Sequence, residues 1–237
     1  MEVFQRYELK HLLDERQYDE LMASAQSHWM PDRYPNTQIQ NVYYDTPDFA
    51  YVRRSLEKPV YKEKLRLRCY QTPKADDTVF LELKKKYRGV VYKRRAEMTY
   101  QTAMAYLERG APIEQPSQVI REINWMLAEN PSIEPAMYLS YARTAYVDAE
   151  IPGVRLTFDR DIRWRREAFQ LDAGIWGGPL LLPGQTLMEL KLPAAMPLWL
   201  AKTLSRLEIY PASFSKYGRA FCTMLQETKE KGILLYA

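Results

Sequence analysis

Several segments of this sequence alternate charged and apolar side chains, one residue after the other. Residues 64–68 read Lys-Leu-Arg-Leu-Arg, which is the clearest instance. Because successive side chains of a β-strand point to opposite faces of the sheet, such a run predicts a strand with one charged and one apolar face. Comparable runs lie at 6–10, 79–86 and 187–192. The chain must bury these apolar faces together, and this requirement favours a fold built on an antiparallel sheet.

The charged faces are mostly basic, and three of them carry one carboxylate each. Glu8, Glu82 and Glu189 each stand two residues before a lysine and therefore share a strand face with it. If these faces converge inside a closed sheet, they form a basic tunnel suited to a long polyanion and a divalent metal. The alternative is a half-solvated sheet with weak surface ion pairs, in which the lysines at 84–86 protect an edge strand from aggregation.

Length and composition narrow the class of protein. The 237 residues fit one large domain or two small ones, and we expect a single domain that spans 1–237. The formal net charge is only +4, so the basic character lies in the pattern, and nucleic acid is not an expected partner. Two cysteines are too few for a disulfide framework or a zinc site. The sequence has no apolar stretch of about 18 residues, so we expect a soluble, cytoplasmic protein.

The order of elements predicts the fold class. Asp14 is positioned to cap the first helix, and Gly89 to turn a hairpin. The predicted strands are 3–12, 38–46, 60–71, 78–87, 90–99, 134–148, 154–165 and 187–192; the predicted helices are 15–28, 48–56, 102–109, 117–129, 197–207 and 214–230, with 168–186 irregular. We therefore expect an α+β protein, an eight-stranded antiparallel β-barrel tunnel with helices packed outside, wide enough to hold a ligand.

The charged faces suit a polyphosphate or a nucleoside triphosphate. Arginine makes forked contacts to phosphate oxygens, lysine supplies a mobile charge, and phosphoryl transfer needs mainly positioning, neutralisation and a metal. Glu189 is the first choice as metal ligand because its strand carries few other charges, and Glu82 is the second. Ser215 and Lys216 begin the last predicted helix, where a hydroxyl and free amides suit a terminal phosphate. The sequence contains no glycine-rich phosphate loop.

The charged motifs, taken in order, resemble those of the VTC domain, the polyphosphate polymerase domain of the vacuolar transporter chaperone complex. That domain has bacterial stand-alone relatives and belongs to the triphosphate tunnel metalloenzyme (CYTH-like) superfamily. The resemblance covers most of the chain, from the first predicted strand into the last predicted helix. The matching motifs are Tyr7-Glu8-Leu9-Lys10, Tyr43-Tyr44-Asp45-Thr46, Lys64-Leu65-Arg66-Leu67-Arg68, Phe80-Leu81-Glu82-Leu83-Lys84, Tyr92-Lys93-Arg94-Arg95, Arg143, Arg155, Glu189-Leu190-Lys191 and Ser215-Lys216-Tyr217.

This resemblance implies an enzyme, an ATP-polyphosphate phosphotransferase that adds the γ-phosphate of ATP to a growing polyphosphate chain with Mn²⁺ or Mg²⁺. It implies a metal at Glu189. The residues expected to hold phosphates during catalysis are Lys10, Arg66, Arg68, Lys84, Arg143 and Arg155. The candidate substrate-binding residues are Glu8, Lys93, Arg95, Lys191, Ser215 and Lys216. Which of Lys93 and Arg95 lines the tunnel stays open at this point.

One departure from the superfamily pattern bears on the reaction. Many tunnel triphosphatases begin with Glu-x-Glu-x-Lys, and here Arg6 stands at the first Glu position. Fewer acidic ligands favour one metal and the VTC type over two-metal hydrolysis. Hydrolysis of tripolyphosphate or nucleoside triphosphates, and non-catalytic binding of polyphosphate or inositol polyphosphate, are the alternatives. The expected ligands are ATP and inorganic polyphosphate, and coupling to a membrane would need a membrane-protein partner.

Overall fold

A computed structural model describes residues 7–88 and 90–230. These residues form nine strands and six helices. In chain order they are β1 Tyr7–Leu13, α1 Glu15–Ser24, β2 Trp29–Asp45, α2 Ala50–Leu56, β3 Tyr61–Cys69, β4 Thr78–Tyr87, β5 Val90–Thr99, α3 Tyr100–Arg109, α4 Gln118–Glu129, β6 Glu134–Asp148, β7 Arg155–Arg165, β8 Gly178–Pro179, β9 Thr186–Leu192, α5 Leu198–Arg206 and α6 Lys216–Glu230.

The sheet confirms the predicted α+β class and the eight main strands. The hydrogen-bonded order is β1-β9-β7-β6-β2-β3-β4-β5, and the two-residue β8 pairs with β7. Within the described residues this path ends at β1 and β5, so it is a row of strands and not a hydrogen-bonded ring. The predicted strand residues 3–6, with Arg6, and the hairpin residue Gly89 lie outside the described residues.

Within the described residues, two predicted boundaries differ from the structure by more than two residues. Strand β2 begins at Trp29 and not at residue 38, and the additional segment contains Pro31 and Pro35. Proline is excluded only from positions where its missing N–H would have to donate to a neighbouring strand. The helix predicted over 15–28 ends at Ser24. Its start is as predicted, because the Asp14 side chain accepts the backbone N–H of Gln17 in a capping box.

The chain divides into two compact units. The first contains residues 7–38, 141–162 and 179–215. Its core is formed by the apolar faces of β1, β7 and β9 with α1 and α5, and Leu13, Leu21, Met188 and Leu190 are fully buried there. The ring of Tyr18 on α1 meets the edge of Phe158 on β7 at 4.8 Å between centroids. This packing leaves the alternate residues of β1, β7 and β9 on the opposite, charged face.

The second unit contains residues 39–88, 90–140, 163–178 and 216–230. Its core packs β3, β4 and β5 against α3 and α4. Leu65, Leu67, Leu81 and Leu83 are at most 1% exposed, and burial of each contributes roughly 2 kcal/mol. A one-residue slip of either strand would expose all of its leucines. The leucines therefore fix which face carries the charges. The expectation of one domain over 1–237 stays a prediction.

Helices long and apolar enough to span a bilayer are not found within residues 7–88 and 90–230.

Candidate functional site

A group of basic side chains surrounds one buried carboxylate in the second unit. We call Glu82, Arg66, Arg68, Lys93 and Arg95 the Glu82 cluster. In the register of β3, β4 and β5, Arg66 lies opposite Glu82, and Glu82 lies opposite Arg95. The Glu82 oxygens contact Nη2 of Arg66 at 2.6 Å, Nη2 of Arg95 at 2.6 Å and Nζ of Lys93 at 2.8 Å. Nε of Arg68 is 4.0 Å away.

This cluster has an excess of positive charge. Glu82 is 1% exposed, and four basic side chains share its single negative charge. Burial alone would raise the pKa of Glu82, but the charges of Arg66, Arg68 and Lys93 outweigh it and hold that pKa well below its ordinary range. The carboxylate is therefore ionised at neutral pH and holds the basic groups together without neutralising them.

The same charge density affects two neighbouring side chains. Burial and the nearby guanidinium groups of Arg68 and Arg66 lower the pKa of Lys93 to about 8, against the opposing attraction of Glu82. Burial would raise the pKa of Tyr43, but the charges of Arg66, Arg68 and Lys64 lower it to about 8. Nη1 of Arg66 donates to the Tyr43 hydroxyl at 3.0 Å. Both groups thus change charge near physiological pH.

Tyr43 is held in place by a second buried network. Its ring stacks on Tyr217 with 4.6 Å between centroids. The Tyr217 hydroxyl donates to Oδ2 of Asp45 at 2.7 Å, and the Asp45 oxygens also accept the backbone N–H groups of Thr46, Tyr51 and Val52. Because Tyr217 is the second residue of α6, this network fixes the helix start, at which Lys216 lies.

The first unit carries its own charged face on β1, β7 and β9. Lys10 lies opposite Glu189, and Thr157 lies on the other side of Glu189. Arg143 makes a forked pair with Asp159, at 2.6 Å from Nε to Oδ1 and 2.8 Å from Nη2 to Oδ2. Nη2 of Arg143 also donates to Oε2 of Glu189 at 3.3 Å. We call Glu189, Arg143 and Asp159 the Glu189 cluster.

The remaining predicted residues of this unit flank the Glu189 cluster. Lys191 lies opposite Glu8 on one side and Arg155 on the other. Burial lowers the pKa of Lys191, and the charges of Arg143 and Arg155 act in the same direction. Nζ of Lys10 contacts Glu8 at 3.4 Å and donates to the carbonyl of Phe214 at 3.0 Å, just before Ser215. Arg155 pairs with Asp32 at 2.7 Å.

Both Lys93 and Arg95 contact Glu82, so both lie on its face of the sheet, and which of them lines a tunnel stays a prediction. Lys84 lies one step along the same face, opposite Lys64 and Lys93. The sequence reading missed Asp159, although it shares a strand face with Arg155 by the two-residue period. It also missed Tyr43 as a member of the charged face. The interpretation of residues 84–86 as an edge-strand guard is wrong, because β4 pairs with strands on both sides.

The two predicted metal ligands differ in how well they suit a metal. Glu82 is engaged by three basic groups within 3 Å, which favours a role in holding those groups. Glu189 has Asp159 nearby as a second carboxylate, with Arg143 between them. Within residues 7–88 and 90–230, three or more acidic, histidine or cysteine ligands do not come together. Glu189 fits a metal that takes one or two carboxylates and completes its shell with substrate phosphates.

Comparison with known proteins identifies the family. Residues 5–225 match the VTC domain. The chain belongs to the VTC domain family. Its membership of the triphosphate tunnel metalloenzyme superfamily, expected from the ordered motifs, is thereby confirmed. A search of curated proteins finds no significant match.

This VTC domain is similar to several solved structures. A candidate adenylate cyclase from Bacillus halodurans has a TM-score of 0.55 at 14% identity, over 88% of this chain and 92% of its own. A candidate adenylate cyclase from Vibrio parahaemolyticus is 14% identical over 91% and 97% of the two chains, with a TM-score of 0.44. The Mimivirus capping enzyme triphosphatase is 11% identical over 85% and 88%, with a TM-score of 0.36. At 14% identity, the first similarity shows the fold alone.

Proposed function

We propose that this VTC domain is a metal-dependent polyphosphate polymerase that transfers the γ-phosphate of ATP to a growing inorganic polyphosphate chain. The observation that carries the proposal is the Glu82 cluster, in which four basic side chains share one buried carboxylate. Such an excess of partly buried positive charge is costly unless an anion offsets it. The family match and the residue types favour phosphates as that anion.

In this proposal the side chains of each cluster have separate roles. Arg66 and Arg68 present planar guanidinium groups that bind phosphate oxygens, and Glu82 keeps Arg66 and Arg95 oriented. Arg143 is oriented in the same way by Asp159. In the proposed reaction, Arg66 and Arg68 of the Glu82 cluster stabilise the negative charge that spreads over the transferred phosphoryl group. A bound Mg²⁺ or Mn²⁺ would be held by Glu189 and would neutralise phosphate charge.

The test compares wild-type protein with Glu189→Gln and with the control Glu150→Gln, in which an exposed glutamate of the same unit is changed. Each protein is incubated with ATP and Mn²⁺ or Mg²⁺, and polymer length, free phosphate and polyphosphate binding are measured in parallel. The proposal predicts a polymer ladder from wild type and Glu150→Gln, and none from Glu189→Gln.

Other outcomes of this test support the rival functions. Free phosphate without polymer indicates a tripolyphosphate or nucleoside triphosphate hydrolase. Polyphosphate binding that is equal in all three proteins, without any product, indicates a binding protein. Either result contradicts the proposal. A membrane-protein partner and a cytoplasmic location stay predictions.

A further inference from the structure

The charged face of β3, β4 and β5 continues beyond the Glu82 cluster as rows of lysine. The row next to Arg66, Glu82 and Arg95 contains Lys64, Lys84 and Lys93, directly opposite one another. In the row after that, Lys62 lies opposite Lys86. These two rows thus contain five lysines and not one carboxylate. The Glu82 carboxylate offsets part of the charge of its own row and contacts Lys93 of the next row at 2.8 Å, whereas the row of Lys62 and Lys86 contains no carboxylate.

Like charges directly opposite each other destabilise an antiparallel pair. Lys62 and Lys86 are both partly buried, and Nζ of Lys62 donates to the backbone carbonyl of Ser55 at 3.1 Å. Among the residues that the structure describes, neither Lys62, Lys84 nor Lys86 forms an ion pair with a carboxylate, whereas Lys85, on the other face of β4, pairs with Glu122 at 3.1 Å. The repulsion is thus confined to the charged face.

Protection of a sheet edge does not account for Lys86. Strand β4 pairs with β3 along residues 80–87 and with β5 along residues 78–87, so Lys86 lies on an interior strand. An anion that bridges opposite lysines would turn the repulsion into attraction. The face therefore suits an anion that extends along the strands.

We propose that Lys62 and Lys86, called here the distal lysine pair, bind the part of a polyphosphate chain that lies beyond the phosphates held at the Glu82 cluster. Rows two residues apart are separated by about 6.6 Å along a strand, so the distal pair is about 13 Å from the row of Arg66. Three linked phosphates are shorter than this distance, and a longer chain spans it. The pair would thus select long chains over triphosphate. This inference rests on the proposed polyphosphate substrate.

The test measures binding of two ligands by calorimetry: tripolyphosphate, and inorganic polyphosphate several tens of phosphates long. The double variant Lys62→Gln/Lys86→Gln is compared with wild type and with Lys74→Gln/Lys202→Gln, which removes two exposed lysines from elsewhere. We expect the ratio of long-chain to tripolyphosphate affinity to fall about tenfold in the distal variant and to stay unchanged in the control. The long-chain affinity should also fall less steeply with rising salt concentration, because the variant releases about two fewer counterions on binding.

The inference is overturned if both double variants change the ratio equally, or if neither changes it. If the distal variant unfolds, Lys62→Arg/Lys86→Arg keeps both charges and must retain the wild-type preference for long chains. Wild-type protein that binds no polyphosphate contradicts the proposed function itself. Wild-type protein that makes polymer beside an unaffected distal variant contradicts only the role of the pair.

Discussion

Replacing Glu82 by glutamine tests whether the buried carboxylate holds the basic side chains together. Glu82→Gln keeps the shape of the side chain but removes the negative charge that three basic groups contact within 3 Å. Removing one partner of a buried ion pair costs 3–5 kcal/mol. The basic partners here are 18–44% exposed, so solvent screens part of the loss, and we expect about 3 kcal/mol. For a chain of this length, that loss lowers Tm by about 6–12 °C.

Thermal unfolding at pH 7 measures this difference, and its pH dependence tests the cause. The folded-state pKa of Glu82 lies below its ordinary value of 4.5, so its stabilising contribution is fully present above that value. It is lost as the pH falls toward the folded-state pKa. The difference in Tm between wild type and Glu82→Gln should therefore stay constant from pH 7 to about pH 5 and narrow at lower pH.

Anion binding separates this electrostatic cause from a packing defect. Without the carboxylate, the basic groups repel one another more strongly, so tripolyphosphate should raise the Tm of Glu82→Gln more than that of wild type. Glu97→Gln on β5 is the control, because Glu97 is exposed and its change should cost less than about 0.5 kcal/mol. Equal stability of wild type and Glu82→Gln, or an equal loss in Glu97→Gln, would refute the reasoning.

Three further predictions concern buried polar groups of the second unit. Asp45→Asn should lower stability by about 2 kcal/mol in denaturant unfolding, because the Asp45 oxygens accept three backbone N–H groups and the Tyr217 hydroxyl; a smaller loss in Tyr217→Phe is expected, and none in either would contradict the network. Ultraviolet titration of wild type should show one tyrosine ionising near pH 8, and this step should disappear in Tyr43→Phe. Arg165→Lys should cost about 2 kcal/mol, since the guanidinium donates to carbonyls of the 167–176 loop; unchanged stability would show that lysine replaces these bonds.

The sequence was enough to predict which residues form the charged face, because burial of the leucines determines which face of each strand carries the charges. From Leu65 to Cys69 in β3 and from Val79 to Leu83 in β4, every second residue is apolar and buried, so the remaining residues had to lie together on the other face. The same rule identified the alternate faces of β1 and β9. A two-residue period is read directly from the sequence and does not require knowledge of the partner strand.

Contacts between strands were harder to predict because they depend on register. Glu82 lies opposite Arg95 because Tyr87 pairs with Val90, so that only two residues connect β4 to β5. Arg88, the first of them, has a left-handed φ of 46°, as short hairpins require. A turn predicted at Gly89 is enough to set the register of β4 and β5. Strands β6 and β7 are joined by a longer loop, so the sequence did not indicate that Arg143 pairs with Asp159.

Two features lay beyond what residue patterns could indicate. The early start of β2 at Trp29 runs through two prolines, and whether a strand tolerates a proline depends on neighbouring strands that are distant in sequence. The lowered pKa of Tyr43 arises from Arg66, Arg68 and Lys64 on the adjacent strand. Neither effect is local in sequence, so neither could be read from spacing.

The fate of the terminal phosphate of ATP tests the central claim most directly. Protein, Mn²⁺ and a short polyphosphate primer are incubated with ATP labelled at the γ-phosphate, and the label is followed into polymer and into free phosphate. The proposed polymerase predicts that one labelled phosphate enters the polymer for each ADP formed, and that Glu189→Gln forms neither labelled polymer nor ADP. The polymerase proposal is contradicted if the label leaves ATP only as free phosphate, or if the label stays in ATP while the primer binds.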